Sequence, residues 1–500
     1  MMKNTELISK DYIEKLAKNK KDAILNAQDS ISVCGNTYYV TSSGDDSQDG
    51  KTEATAWKTL TKVSTFPLEP GDAVRFKRGD LFRGSVITKP GVTYCAYGCG
   101  EKPKFYGWNK DLASKELWEQ IDNSLAIWRY REKITDCGTL VFDSGAAHSR
   151  KLIPSYRDGR FVCRDNENEP FDVRKHMDKD LDIFCEYDAK LTSTLTKDEN
   201  FPVPLMDKEC YGNLYLRCEK GNPGEVFNSI EAIPWSVAFV VAENENVTID
   251  NLCINYSKFA VSACGDSVKG LKVTNFEIGW IGGNIQHYLG LDPNFPEGRH
   301  GTVTRYGNGI EIYGGCDGYE VSGCYIYQCY DAGITHQIST NGNKFEQKNI
   351  LYKDNLIENC VYSIEYFLDD NKGKTDSIIK NCKIDSNIMR LSGYGWGQQR
   401  HNVDTPAHIK GWSYANTATD FEIRNNILDR AAYKMIHLVA ASPDYCPKMH
   451  GNTYIQKSDF PLGQYGANCE IEPEIITFDK NIENSIKVIL KENDARILVV

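Results

Sequence analysis

The chain has 500 residues, 41% of them hydrophobic and 25% charged, and a formal net charge of -11. That balance argues against nucleic acid as the main partner, because phosphate binding needs a basic footprint, and it disfavours a strongly polyanionic substrate. No segment is long and apolar enough to span a membrane, while the apolar content is ample for a core.

Residues 1–37 open with charges throughout (Lys3, Glu6, Lys10, Asp11, Glu14, Lys15) and apolar residues spaced between them (Leu7, Ile13, Leu16, Ile24, Leu25). That spacing predicts an amphipathic helix that packs on the body or caps its first coil. It contains no apolar core of a secretory signal. The 17 cysteines show no paired framework, so a cytoplasmic protein with reduced, mostly buried thiols is expected. Cys95 and Cys99 alone are a weak metal pair.

Residues 38–107 read as first coils: Tyr38-Tyr-Val-Thr with a Gly/Asp turn, Ala56-Trp-Lys-Thr-Leu60 as a short helix, and Pro70-Gly-Asp-Ala-Val-Arg-Phe as turn and strand. Residues 108–235 break the pattern and read as a β-rich insertion, with Thr139–Asp143 and Asn213–Arg217 as strands. Residues 236–460 carry the dominant signal, one phrase of alternating apolar residues around an Asn-containing corner, seen six times: Val247–Ile254, Leu271–Ile278, Tyr319–Ile326 (with Gly at the corner), Ile350–Ile357, Ser377–Ile384 and Phe421–Leu428. The starts fall roughly 24 to 48 residues apart, a repeat period with loop insertions. Alternation argues strands, and Asn tolerates the left-handed backbone of a sharp corner. Residues 461–500 are expected to cap the last coil, because a bare end exposes an unpaired apolar stack.

The opening from Tyr38 to Gly84, together with the later rungs, resembles right-handed parallel β-helix proteins of the pectate-lyase-like superfold, over most of residues 38 to 455. The expected fold is all-β: a right-handed parallel β-helix solenoid with an N-terminal helix and a β-rich insertion. The layout is similar to that of β-helix proteins grouped with carbohydrate-active enzymes, which implies such an activity by analogy.

Each rung phrase is followed by a second strand, and aligning these stacks Ile310, Ile334, Ile364 and Ile409 inward. Period-two alternation then turns Glu311, Thr335, Glu365 and Lys410 outward on one line, with Gln337 and His408 beside it and Asp331 at the preceding corner. Rungs stack roughly 4.8 Å apart, so carboxyls on this line fall at separations usable for either a retaining or an inverting glycosidase. Crowding with a neighbouring carboxylate is what keeps one member protonated as the acid. Asp331 is the first choice for that acid, with Glu311 and Glu365 as base or nucleophile. The competing reading is a solvated ladder of stacked charges.

Aromatic and basic segments flank the stripe: Arg299-His300, Thr304–Asn308 and Gly393–His401. Tyr394, Trp396 and Trp412 are expected to present rings to sugar faces, and Arg305 and Arg400 to bind hydroxyls or a carboxylate. Each also reads as structural. His336, His408 and His437 approach the same face as hydrogen-bonding neighbours, too far apart by one-rung steps to share a metal. No metal or cofactor is expected, although Asp369-Asp370-Asn371 offers the oxygen ligands that Ca²⁺ takes. The leading expectation is a glycoside hydrolase acting on oligosaccharides. A polysaccharide lyase acting on uronates is second, with Lys410, Arg305, Arg400 or His408 as base; Arg305-Tyr-Gly-Asn308 resembles an Arg-His-Gly-Asn run of some β-helix lyases, with Tyr306 in place of His. A non-catalytic carbohydrate-binding protein is third. Oligomeric state is open.

Overall fold

A chain coils into a solenoid only if it turns sharply at fixed intervals, and here left-handed residues mark three corners that recur coil after coil. Asn246, Gly270, Gly318, Asn349, Asn381 and Asp420 form the first, with φ between 51° and 85°. Asn251, Asn275, Gly323, Asp354, Ser386, Asn425 and Gly451 form the second. Tyr256, Trp280, Gln328, Asn359, Leu391 and Arg430 form the third. The computed structural model describes residues 9–29, 31–157, 160–163, 166, 168–187, 212–241, 245–288, 303–369, 375–400, 405–412, 417–467 and 472–500.

Between the corners run parallel strands on three faces, the parallel β-helix expected from the repeats. Val261, Ile310, Ile334, Ile364, Ile409 and Ile436 stack in register on the first face. Val273, Val321, Tyr352, Ile384, Ile423 and Met449 stack on the second. Ile254, Ile278, Ile326, Ile357, Met389, Leu428 and Tyr454 stack on the third. These residues point to the axis and form one continuous buried core, since a rung cannot bury its apolar side except against the next. One copy of the phrase is offset. Asn381 of Ser377–Ile384 falls on the first corner, where its Nδ2 donates to Asn349 Oδ1 at 2.7 Å, and Ser386 and Asn387 make that coil's second corner.

The segment between Tyr106 and Val237 folds on its own antiparallel sheets. Residues 118–122, 127–130, 182–187 and 212–217 pair antiparallel, with 150–151 added in parallel, and 140–142 pairs with 147–148 and 230–232. Trp118, Tyr130, Phe142, Leu214 and Leu216 form a separate core there.

The expected C-terminal cap begins later than residue 461. Pro461–Ala467 is itself a rung strand, parallel to Ile436–Ala440, and Arg496–Val499 is the last rung of the third face. The covering falls to residues 482–490, whose Ile482, Ile486 and Leu490 plug the core. The coil thus continues through residues whose alternation is weakened by glycines, Gly463 and Gly466.

Helix α1 spans Lys10–Leu25 and starts where Ser9 Oγ accepts from the Tyr12 N–H. Its apolar stripe, including Ala17 and Ile24, lies on the outside of the third face against Tyr325, Leu356 and Ile388. Glu14 Oε1 meets Arg390 Nη2 at 2.6 Å and Arg430 Nη2 at 3.1 Å. Beyond the helix, Asp29 accepts from Arg78 and from Asn251 Nδ2. Deleting residues 1–28 should therefore lower unfolding free energy by about 4 kcal/mol, the burial of two to three apolar side chains. The check is a urea titration with an apolar-surface dye: the truncated chain should bind the dye before its main transition, and an unchanged midpoint would show that the helix does not stabilise the third face.

Candidate active site

Strand register fixes what faces outward on the first face. Ser262, Glu311, Thr335, Glu365, Lys410, His437 and Gln464 pair one to the next across successive rungs. The line contains Glu311, Thr335, Glu365 and Lys410 in the order that alternation predicts.

Glu365 is nearly enclosed, at 4% exposure. It accepts a hydrogen bond from Trp412 Nε1. Burial, then the charge of the neighbouring Asp331, pushes its pKa up to about 8, against the pull of Arg400 and Lys410. Asp331 sits at the corner of the adjacent coil, its carbonyl accepting from the Tyr362 N–H at 3.1 Å. Its carboxylate is bonded to Arg400 Nη1 at 2.5 Å. Burial raises its pKa and the Arg400 guanidinium opposes that rise. The two acids therefore have unlike partners, a cation for Asp331 and a neutral indole donor for Glu365.

Arg400 reaches this place because residues 395–400 fold inward. Gln399 ties the segment to the insertion, donating from Nε2 to Ser149 O at 2.8 Å and accepting from the Lys151 N–H at 3.2 Å. The Arg400 guanidinium also lies 5.4 Å from the Tyr362 ring centroid. Lys410 Nζ sits 3.9 Å over the Trp412 ring. Burial and the nearby Lys434 lower its pKa to about 8, with Glu365 acting in the other direction. Trp412 keeps 39% of its surface exposed, so its indole is both a wall of the site and a face open to solvent.

Glu311 forms a second centre. Its Oε2 accepts from Asn308 Nδ2 at 2.6 Å and Gln337 Nε2 at 2.9 Å, and Asn308 Oδ1 accepts from the Ala332 N–H at 2.9 Å. Burial raises its pKa, while Asn308, Gln337 and Lys258 counter that. Lys258 was not expected from the sequence. It is fully buried, donates to Tyr306 Oη at 2.8 Å and lies 3.3 Å from the Trp235 ring centroid; burial drives its pKa well down. Its one sequence signal is a lysine between two aromatics in Tyr256-Ser-Lys-Phe259. Thr335, one rung from both Glu311 and Glu365, has a buried Oγ1 with no hydrogen-bond partner.

Several expected site residues lie elsewhere. Trp396 is not an exposed platform: it is 1% exposed, packs tilted against Tyr330 and donates from Nε1 to Gln328 O at 2.7 Å. Its flanking glycines permit this burial, since a Cβ on Gly395 would meet Asn359 O at 2.0 Å. Gly283 (φ +80°) makes room too, because its Cβ would strike the Trp396 ring at 2.3 Å. His336 points to the axis, paired with Ile312 and Tyr366, and its Nδ1 bonds Tyr352 Oη at 2.8 Å. The alternation that turns Thr335 outward turns His336 inward. His408 is also buried, bonded to Ser392 Oγ at 2.7 Å. The N–H groups of His408 and Ile409 both donate to Met435 O, a bulge that breaks the alternation before Ile409. Arg305 is 3% exposed and donates to Gly283 O at 2.8 Å and Gly138 O at 3.1 Å; it fastens the insertion rather than facing solvent. Tyr394 is 41% exposed. Among the described residues, no cluster of metal-ligand type lies on the stripe. Arg299, His300, His401, Asp370 and Asn371 lie outside the described residues, and with the last two the proposed Ca²⁺ turn.

No protein-family model matches the chain, and no curated protein matches it. Several solved structures are similar in overall course. XylC in complex with xylose aligns over 85% of this chain and 76% of its own at 11% identity and a TM-score of 0.44. A protein described as a glycoside hydrolase aligns over 93% of this chain and 96% of its own at 9% identity and a TM-score of 0.41. A GH136 lacto-N-biosidase from Eubacterium ramulus aligns over 93% of this chain and 68% of its own at 13% identity and a TM-score of 0.37.

Proposed function

We propose that this protein is a carbohydrate-active enzyme that hydrolyses glycosidic bonds in oligosaccharides, with Glu365 as general acid and Asp331 as its ionised partner. The observation that carries the reading is two buried carboxyls on adjacent coils, one bonded to a guanidinium and the other to an indole N–H. A glycosidase needs one carboxyl that holds a proton near neutral pH and one that does not, and unlike environments separate them. This reverses the roles expected from the sequence, where Asp331 was first choice for the acid. The exposed Trp412 ring supplies a flat apolar surface of the kind that stacks on a sugar.

A second reading is β-elimination on a uronate. Lys410, lowered to about 8, is an amine poised near neutrality beside Arg400, which suits proton abstraction next to a carboxylate. A panel of neutral and uronate-containing oligosaccharides separates the readings, assayed for reducing ends and for the ultraviolet absorbance of unsaturated uronates. Hydrolysis raises reducing ends alone, and Asp331→Asn should then cut the rate by at least about a hundredfold. Growth of the absorbance would transfer the chemistry to Lys410. Binding without turnover, unchanged in Asp331→Asn, would leave a carbohydrate-binding protein.

A further inference from the structure

On the insertion, away from the stripe, the described residues after the paired strands 155–157 and 160–162 turn back on themselves. The Cys163 N–H donates to Glu169 O at 2.8 Å, the Glu169 N–H to Asn166 O at 2.9 Å, and Val162 bridges Pro170. A short helical turn, Val173–His176, follows. These turns bring Cys163, Glu169 and His176 together, and one ligand atom from each lies within 4.8 Å of the others.

The histidine is already oriented as metal-bound histidines are. Its Nδ1 lies 2.8 Å from Asp172 O, in reach of a bond that an Nδ1–H would donate, and 3.3 Å from the Asp172 N–H; metal binding through Nε2 takes the tautomer with the proton on Nδ1. That leaves the lone pair on Nε2, which faces Cys163 Sγ at 3.1 Å. A backbone carbonyl on the far nitrogen is the usual outer partner of a metal-bound imidazole. Phe171 stacks on the ring with centroids 4.9 Å apart and planes 21° from parallel. Glu169 keeps its side chain in place through Lys175 Nζ at 3.2 Å from Oε1, which leaves the second oxygen for an ion.

We propose that Cys163, Glu169 and His176 bind a zinc ion, with solvent in the fourth position. One thiolate, one imidazole and one carboxylate form a donor set that Zn²⁺ takes and that hard cations such as Ca²⁺ and Mg²⁺ do not. With zinc bonds of about 2.0 to 2.3 Å, tetrahedral ligand atoms stand about 3.5 Å apart, so the ion enters with a small opening of the loop. Binding converts the Cys163 thiol to thiolate and releases its proton to solvent. The ion would tie Cys163 and Glu169 to the helical turn Val173–His176.

The test uses the full chain, stripped with a chelator, reloaded with Zn²⁺ and passed through a desalting column before elemental analysis. Stoichiometric zinc is expected to stay with the protein, and Co²⁺ in its place should give a thiolate-to-cobalt charge-transfer band in the near ultraviolet. Cys163→Ser and His176→Ala should each abolish the band and weaken zinc binding by more than about a hundredfold, the upper end of what losing even an outer partner costs. Cys264→Ser, at an exposed cysteine on the solenoid, should leave both unchanged. Circular dichroism should be the same for all variants, since the loop is no part of the rungs. Wild-type protein that retains no zinc, or a Cys163→Ser variant that retains it with the same affinity, would overturn the site.

Discussion

Glu365→Gln should lose at least about a hundredfold in turnover, the usual size for a general acid, and should gain stability at alkaline pH. Both effects come from one proton. In the folded protein burial and the nearby Asp331 charge raise the Glu365 pKa to about 8 from an ordinary 4.5. A carboxyl raised on folding contributes stability that is fully present below about 4.5 and is lost as pH rises to about 8, because the folded state binds the proton the unfolded state has released. Glutamine stays neutral throughout, so the variant's unfolding free energy should vary less with pH across that window and exceed the wild type's above it. Wild-type kcat/KM should fall as pH rises through about 8, where the acid loses its proton. Urea titrations at several pH values, paired with the pH–rate profile, measure both arms. Normal turnover in Glu365→Gln would remove it from the chemistry, whereas lost turnover without the stability gain would show that its carboxyl is not raised.

Asn387→Leu should cost about 4 kcal/mol, although no atom of Asn387 reaches the site. Asn355, Asn387, Asn426 and Asn452 stack along the start of the third face, each 0% exposed. Each donates Nδ2 to a carbonyl of the coil before: Asn387 to Tyr352 O at 2.9 Å and Asn426 to Ile384 O at 2.9 Å. Each Oδ1 accepts from the rung before: Asn387 Oδ1 takes the Asn355 N–H at 3.1 Å and its Nδ2 at 2.9 Å. Leucine leaves the Asn355 N–H and the Tyr352 carbonyl buried without partners, at about 1 to 3 kcal/mol each, and the amide's bonds are lost besides. The ladder ends on Glu492, whose Oε1 accepts from the Asn452 N–H at 2.8 Å and whose Oε2 accepts from Tyr454 Oη at 2.7 Å. Asn381→Gly is the contrast, because it keeps the left-handed corner (φ 52°) and loses only an exposed bond to Asn349; a change within about 0.5 kcal/mol is expected. Equal urea midpoints for the two variants would show that the buried ladder does not hold the rungs.

The stripe and the ladder also separate what is local from what is not. Alternation by itself placed Glu311, Thr335, Glu365 and Lys410 on one outward line, because a strand's side chains change face at every residue and stacked rungs keep register. The first and second corners are equally legible, since a left-handed turn selects Asn, Asp and Gly, and because both favour the same residues the copy Ser377–Ile384 stands one corner out of step; the third corner, held by Tyr256, Trp280, Gln328, Asn359, Leu391 and Arg430, carries no such signal. Composition could not tell that the Gly-Tyr-Gly-Trp-Gly loop folds inward. Glycines allow close approach as readily as exposure, and only the walls formed by Gly283 and Gln328 from distant rungs select burial for Trp396. His408 was misplaced for a related reason: its bulge depends on a carbonyl of the next coil, Met435.

The partnerships that set protonation were also beyond the sequence. Arg400 meets Asp331 across 69 positions and Trp412 meets Glu365 across 47, and the insertion holds Arg400 in place through Gln399. The sequence by itself determined the rungs, their inward ladder and the line on which carboxyls stand, all of which depend on near neighbours and a fixed period. The tertiary structure alone decided which carboxyl keeps its proton, because burial and the nearest charge come from segments brought together only when the coils stack and Gln399 ties the Arg400 segment to the insertion.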